Sequence, residues 1–262
     1  MKSSSDSGYL KKIREKITGL LKKSPNKFED EDFHKLRVEI KKLKAVAGFI
    51  EFSDNHFSKR TQLKPFSKIY KQAGKIRELQ LQHSFLEKHD DFLIEDYLQE
   101  LLKKIEKEKK KFASLLTTQS SKKIKKSTKK AEIFLKRTND NDAIRFTNNE
   151  KRKIASLIKG LPLKKENAHK LRKILKEDFY NRKRTNWPSR KINQEDDFLQ
   201  LLGSWHDSVV LSDQLEKATL KSDNKPAETA ALQKIKSSTS LESEKLFNEI
   251  NSTLGKGVFD FN

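Results

Sequence analysis

Between Phe33 and Ile50 apolar residues recur at helical spacing: Phe33, Leu36, Ile40, Leu43, Ala47 and Ile50. Each residue of an α-helix turns the chain by about 100°, so these side chains form one stripe that must be buried. His34, Arg37, Lys41 and Lys44 fall on a second stripe directly beside the first. A basic row opposite the core would face only water. A basic row at the margin of the core lines a groove or channel between helices.

The pattern recurs later in the chain. Ala168, Leu171 and Leu175 form an apolar stripe, and His169, Arg172 and Lys176 take the places of His34, Arg37 and Lys41. A second echo follows each copy: Gly74-Lys75-Ile76-Arg77-Glu78 corresponds to Gly203-Ser204-Trp205-His206-Asp207. Such internal repetition governs the choice of fold. Two His-x-x-Arg-x-x-x-Lys helices, each followed by a Gly-x-x-basic-acidic helix, resemble the CHAD family, the conserved-histidine α-helical domain. The resemblance spans about residues 28–254.

It implies an all-α fold of two four-helix bundles related by a pseudo-twofold, with a basic central cavity or pore. It implies one domain over residues 1–262, with a first bundle at about 28–138, a second at about 148–254, and residues 1–24 as an N-terminal extension. It also implies non-catalytic binding of inorganic polyphosphate, with no cofactor or metal. The candidate polyphosphate ligands are His34, Arg37, Lys41, Lys42 and Lys44 on the first motif helix and His169, Arg172, Lys173 and Lys176 on the second. Arg77 and His206 join them by the motif match, and Arg182 and Arg184 lie where the second helix ends. His206 departs from the pattern, because a neutral imidazole holds an anion less well than Arg. Glu78 and Asp207 orient or neutralise the basic row.

The residue chemistry suits that ligand. Arg offers a planar fork of donors to phosphate oxygens, Lys a mobile point charge, and His a donor whose charge changes near neutral pH. The 58 Lys and Arg outweigh 37 Asp and Glu, for a net charge of +21, which calls for a polyanionic partner. Phosphate or sulfate can stand in for polyphosphate at such a site. The alternative reading is a nucleic-acid-binding module that uses the Lys-rich outer faces, notably Lys103–Lys111 and Lys122–Lys130. These runs also suit a simple solvated helix surface. Aromatic residues do not interleave with them as in a single-strand binder.

A P-loop, a His-Glu-x-x-His helix, a Gly-x-Ser-x-Gly elbow and a cysteine nucleophile are all missing from the sequence, which argues against the common catalytic designs. The zero cysteines exclude disulfides and thiolate metal sites and fit a reducing compartment. No apolar run approaches the ~18 residues of a spanning helix. The expectation is a cytoplasmic protein, associated with polyphosphate granules if the resemblance holds.

Long 3.6-residue periodicity places helices at about 9–23, 29–52, 60–86, 92–116, 120–138, 148–159, 164–183, 194–220 and 227–254. Pro65 sits near the start of the third or kinks it. Residues 9–23 read as a helix packed on the domain, or as a basic helix on an anionic membrane. The polar stretch 138–147 reads as a connection between halves. Ser24-Pro25-Asn26, Asp90-Asp91, Trp187-Pro188 and Ser222–Lys225 mark caps and turns, and Trp187 and Trp205 read as packing residues.

Overall fold

In a computed structural model, the protein is described over residues 3–23, 27–89, 92–185, 192–220 and 225–257. Those residues form helices, turns and loops, with no strand among them. The fold is all-α. In chain order the helices are α1 (Ser3–Leu20), α2 (Asp30–Ser53), α3 (Lys59–Leu63), α4 (Ser67–Leu86) and α5 (Glu95–Leu115). They continue with α6 (Thr118–Leu135), α7 (Asp140–Ile158), α8 (Lys165–Thr185), α9 (Ile192–Thr219) and α10 (Pro226–Gly255). The breaks expected at Ser24-Pro25-Asn26, Asp90-Asp91, Trp187-Pro188 and residues 222–224 lie outside the described residues.

Two differences from the periodicity have local causes. The helix expected at 60–86 is divided by a 3-10 turn, Lys64–Phe66, which contains Pro65. Proline has no N–H for the helical ladder and its ring crowds the preceding turn. The expected connection at 138–147 is instead the first half of α7. There the Asn139 N–H donates to Asp142 Oδ2 and the Asp142 N–H donates to Asn139 Oδ1, both at 3.0 Å. This reciprocal cap satisfies N–H groups that every helix start leaves open, and its polar residues hid the helix. Phe146 then seats its ring on Phe49 and Phe52, with centroids 5.5 and 5.4 Å away.

The chain forms two compact units. Unit 1 comprises Met1–Leu81, Leu102–Glu150 and Glu177–Trp187; unit 2 comprises Gln82–Leu101, Lys151–Lys176 and Pro188–Asn262. The core of unit 1 is built on the apolar stripe of α2: Phe33, Leu36, Ile40, Leu43, Ala47 and Ile50 are all at most 1% exposed. Phe28, Phe33 and Phe112 close one end as a three-ring cluster with centroids 4.8–5.1 Å apart. Leu10, Ile13 and Ile17 bury the inner face of α1 in the same core, the packing reading of that helix. Its partner α6 lies alongside, joined by an ion pair from Arg14 to Glu132.

In unit 2, α9 and α10 pack along one another. Trp205 is 3% exposed and its ring lies 5.4 Å from that of Phe247, so it is a packing residue. The buried Glu228 carboxylate of α10 accepts from the Tyr97 N–H at 2.9 Å and so caps the start of α5. The Leu163 N–H, before α8, donates to Asn251 Oδ1 at 2.6 Å.

Phe33 carries both the aromatic cluster and the α2 stripe. Phe33→Ala should lower unfolding stability by about 3–5 kcal/mol, read as a shift of the urea midpoint at unchanged slope.

Candidate functional site

The margin of α2 holds a cationic pair built around one aromatic ring. The Arg37 guanidinium stacks over Tyr70 at 4.7 Å, and its Nη1 donates to the Tyr70 carbonyl at 3.2 Å. Lys44 Nζ stands 3.4 Å above the same ring. Each contact gains from the negative face of the ring, by about 0.5–2 kcal/mol depending on desolvation.

The approach is possible because α4 carries glycine at the crossing. A Cβ on Gly74 would stand 2.0 Å from Arg37 Nη1 and 3.1 Å from its Cζ. The first glycine of the repeated motif is therefore the hole that Arg37 fills.

Burial pushes the Lys44 amine down to about 8, aided by the nearby charges of Arg37 and Lys59. Among the described residues no carboxylate pairs with Arg37 or Lys44. Lys59, whose charge acts on Lys44, has a counter-charge of its own: Lys59 Nζ is 2.7 Å from Glu177 Oε1. That contact rests on another glycine, since a Cβ on Gly48 would stand 2.0 Å from Glu177 Oε1. The last turns of α8 pack on α2 here. The Asn181 amide donates to the Ala45 carbonyl at 3.1 Å, and the buried Arg184 guanidinium lies 4.4 Å from the Phe49 ring. Burial pushes the neighbouring Tyr9 hydroxyl up to about 12, with Glu39 and Tyr180 adding to the effect.

Unit 2 holds the second basic row. The His169 and His206 rings lie 4.9 Å apart at 47°. Burial and the charges of Lys173 and Arg172 hold His169 below the usual imidazole range. Burial and Arg172 also lower the Lys176 amine, while Asp207 opposes the shift. Asp207 is thus close enough for its charge to act on Lys176. Gly203 has open space where its Cβ would be, so it does not receive an arginine as Gly74 does.

The remaining candidates are placed as follows. Lys41 and Arg77 are half-buried, His34 and Lys173 are exposed, and His34 and Lys41 each have partners. Lys42 points away from the basic row, about 100° round the helix from Lys41, and donates to the buried Glu39 carboxylate at 2.7 Å. Arg182 Nε pairs with Asp178 at 2.8 Å. Arg182 and Arg184 belong to unit 1, with Arg37, whereas Arg172 belongs to unit 2. Sequence reasoning missed Tyr70, Lys59 and Glu177. Tyr70 lies four residues before Gly74, one helical turn, and that spacing is the signal that could have found it.

The CHAD domain model matches residues 9–216. The chain belongs to the CHAD family. None of the curated proteins matches it significantly. Among solved structures, the CHAD domain of the plant Ricinus communis is 13% identical, with a TM-score of 0.79 over 97% of this chain and 92% of that one. PptA from Streptomyces chartreusis is 12% identical, with a TM-score of 0.74 over 97% of this chain and 99% of that one. At these identities the likeness is one of fold. It extends past the matched 9–216 into α10, which closes unit 2 of this CHAD protein.

The depressed Lys44 makes stability depend on pH. Between about 8 and the ordinary lysine value of 10.5, the unfolded chain holds a proton that the folded chain has released, so this group's penalty shrinks as pH rises. Lys44→Met should therefore be most favourable, relative to the wild type, below pH 8. That advantage should fade toward pH 10, in melting temperatures measured across the range.

Proposed function

We propose that this CHAD protein captures inorganic polyphosphate without catalysis. The observation that carries the reading is the Arg37–Lys44 pair over Tyr70, a partly desolvated double cation with no carboxylate paired to it among the described residues. Crowded like charges cost free energy in the empty protein, and an anion relieves that cost. One donor of the Arg37 fork is engaged by Tyr70, which fixes the plane of the group and leaves donors for phosphate oxygens. Polyphosphate binding is known for some members of this family.

The finer parts of the proposal rest on the sequence repeat and on the family resemblance. They are the pseudo-twofold relation of two four-helix bundles, a basic central cavity serving both rows, and a cytoplasmic site of action at polyphosphate granules. His34, Lys41, Arg77, Arg172, Lys173 and Lys176 are proposed as further ligands, with Arg182 and Arg184 as supports at the end of α8. Lys42 contributes only through the general field, since Glu39 holds it. His169 and His206 would bind most strongly when protonated, so an anion should raise the pKa of His169. No helix among the described residues is long and apolar enough to cross a membrane.

Two measurements test the reading. Polyphosphate should raise the melting temperature by mass action on the folded state, and more than orthophosphate at equal phosphate, because joined phosphates act at high effective concentration. Equal shifts would overturn it. Arg37→Ala with Arg172→Ala should weaken retention on immobilised polyphosphate by at least about tenfold, given about 1.5–3 kcal/mol for each charge-assisted bond. Retention by the wild type should also fall as pH rises above about 8, where Lys44 loses its proton.

A further inference from the structure

We infer that the outer faces of α1 and α6 together form a docking surface for an anionic lipid bilayer. The inference is independent of the polyphosphate reading and uses none of its residues.

The face is built by two adjacent helices. In α6, Ile124, Ala131 and Leu135 are buried against the rest of unit 1. Lys122, Lys123, Lys125, Lys126, Lys129 and Lys130 are all exposed. At about 100° per residue these lysines span about 160° of the helix, opposite the buried stripe. None of them has an ion pair among the described residues, and the single acid of α6, Glu132, is taken by Arg14 of α1. That same bond ties α1 alongside, where Lys11 and Lys12 are exposed with Glu15 beside them, and Lys22 is exposed in the turn that follows.

The arrangement opposes helix stability. Lys122 and Lys126, Lys125 and Lys129, and Lys126 and Lys130 are like charges one turn apart, and each pair works against the helix. The equally Lys-rich α5 is built otherwise. Glu106 and Glu108 lie among its lysines and pair with Lys109 and Lys111. Burial alone would raise the Glu108 carboxyl, but hydrogen bonds from Lys111, Gln72 and Lys75 hold it at about 2. On α6 six exposed lysines stand with the one acid already taken, whereas α5 pairs part of its charge internally, and such a concentration is the mark of an external anion.

Three features favour a bilayer over a nucleic acid. Packed helices lie about 8–10 Å apart, so the lysines spread in two dimensions, and a planar array of headgroups engages both rows at once. The face carries Lys without Arg forks or aromatic platforms, which gives neither base readout nor stacking. Ile133 is 55% exposed and falls within the lysine arc. Against a phosphate backbone it gains little, whereas among lipid headgroups it is removed from water. The apolar stripe of α6 is committed to the core, so the contact is peripheral and electrostatic.

The test uses the full chain and sedimentation with phosphatidylcholine vesicles, with and without phosphatidylserine, at physiological salt. Binding should require phosphatidylserine. Lys122→Gln with Lys126→Gln and Lys129→Gln should reduce it by at least about tenfold. The charge-matched set Lys103→Gln, Lys107→Gln and Lys110→Gln on α5 should change it less than about twofold, and Ile133→Ser should weaken it several-fold. The α6 set should also melt at the same or a higher temperature than the wild type, which separates lost docking from lost folding. Failure to bind phosphatidylserine vesicles, equal losses from the α5 and α6 sets, or an α6 set that abolishes binding of duplex DNA while leaving vesicle binding intact would each overturn the inference. Polyphosphate-induced stabilisation should persist in the α6 set, so a failure here and a failure of the polyphosphate reading are told apart.

Discussion

The guanidinium of Arg37 occupies the space that the side chain of any residue other than Gly74 would fill. Around that contact the cationic cluster of unit 1 is arranged. The missing Cβ lets a charged fork lie against the flank of α4, where it donates to the Tyr70 carbonyl and stacks on the Tyr70 ring. Lys44, two turns further along α2, covers the same ring. One aromatic side chain thus holds two like charges close together, and the desolvation that follows lowers the Lys44 amine. The charge is stored at the margin of an apolar core whose stripe on α2 is almost wholly buried.

The two halves repeat the motif but not the solution. In unit 1 the cations gather on Tyr70, and the Glu177 carboxylate engages Lys59. In unit 2 the corresponding glycine faces open space, the place of Arg77 is taken by His206, and that ring stacks near His169. The desolvated lysine also moves, from two turns after the motif arginine at Lys44 to one turn after it at Lys176. Asp207 moderates the second row, whereas Arg37 and Lys44 have no paired acid among the described residues. The first row is therefore set by arginine and a perturbed lysine, and the second by two neighbouring imidazoles beside an arginine and a lysine. A repeat in sequence fixed the positions of the side chains along their helices, while neighbours supplied by other helices set their chemistry.

A net charge of +21 is distributed in three ways. Some lysines are absorbed by buried acids, as Lys75 and Lys111 are by Glu108 and Lys42 by Glu39. Some stand desolvated beside the core, as Lys44 and Lys176 do. Others are left in water without an ion pair among the described residues, above all on α6. Only the last two groups leave charge for an external anion, and they differ in kind. The desolvated groups hold fixed geometry and suit a ligand that threads among them, whereas the α6 lysines are long, mobile and spread over a surface.

The amino-acid sequence by itself determined the helical class, the buried stripe of α2, the repeated basic row beside it and the family. These follow from local periodicity and from residue order, which a single chain carries in full. Where it misled, polar residues served an unexpected local purpose: Asn139 and Asp142 cap α7 rather than mark a connection. Pro65, read either as a helix start or as a kink, sits in the turn that divides α3 from α4. Only the tertiary structure decided that Gly74 receives Arg37, that Tyr70 and Lys59 join the cluster, and that Arg184 packs on Phe49. Each of these depends on a partner from another helix, far away along the chain. Helical phase says which way a side chain leaves its own helix, but not what stands opposite, nor how much water the pair excludes, and that exclusion is what shifts a lysine such as Lys44 from its ordinary state.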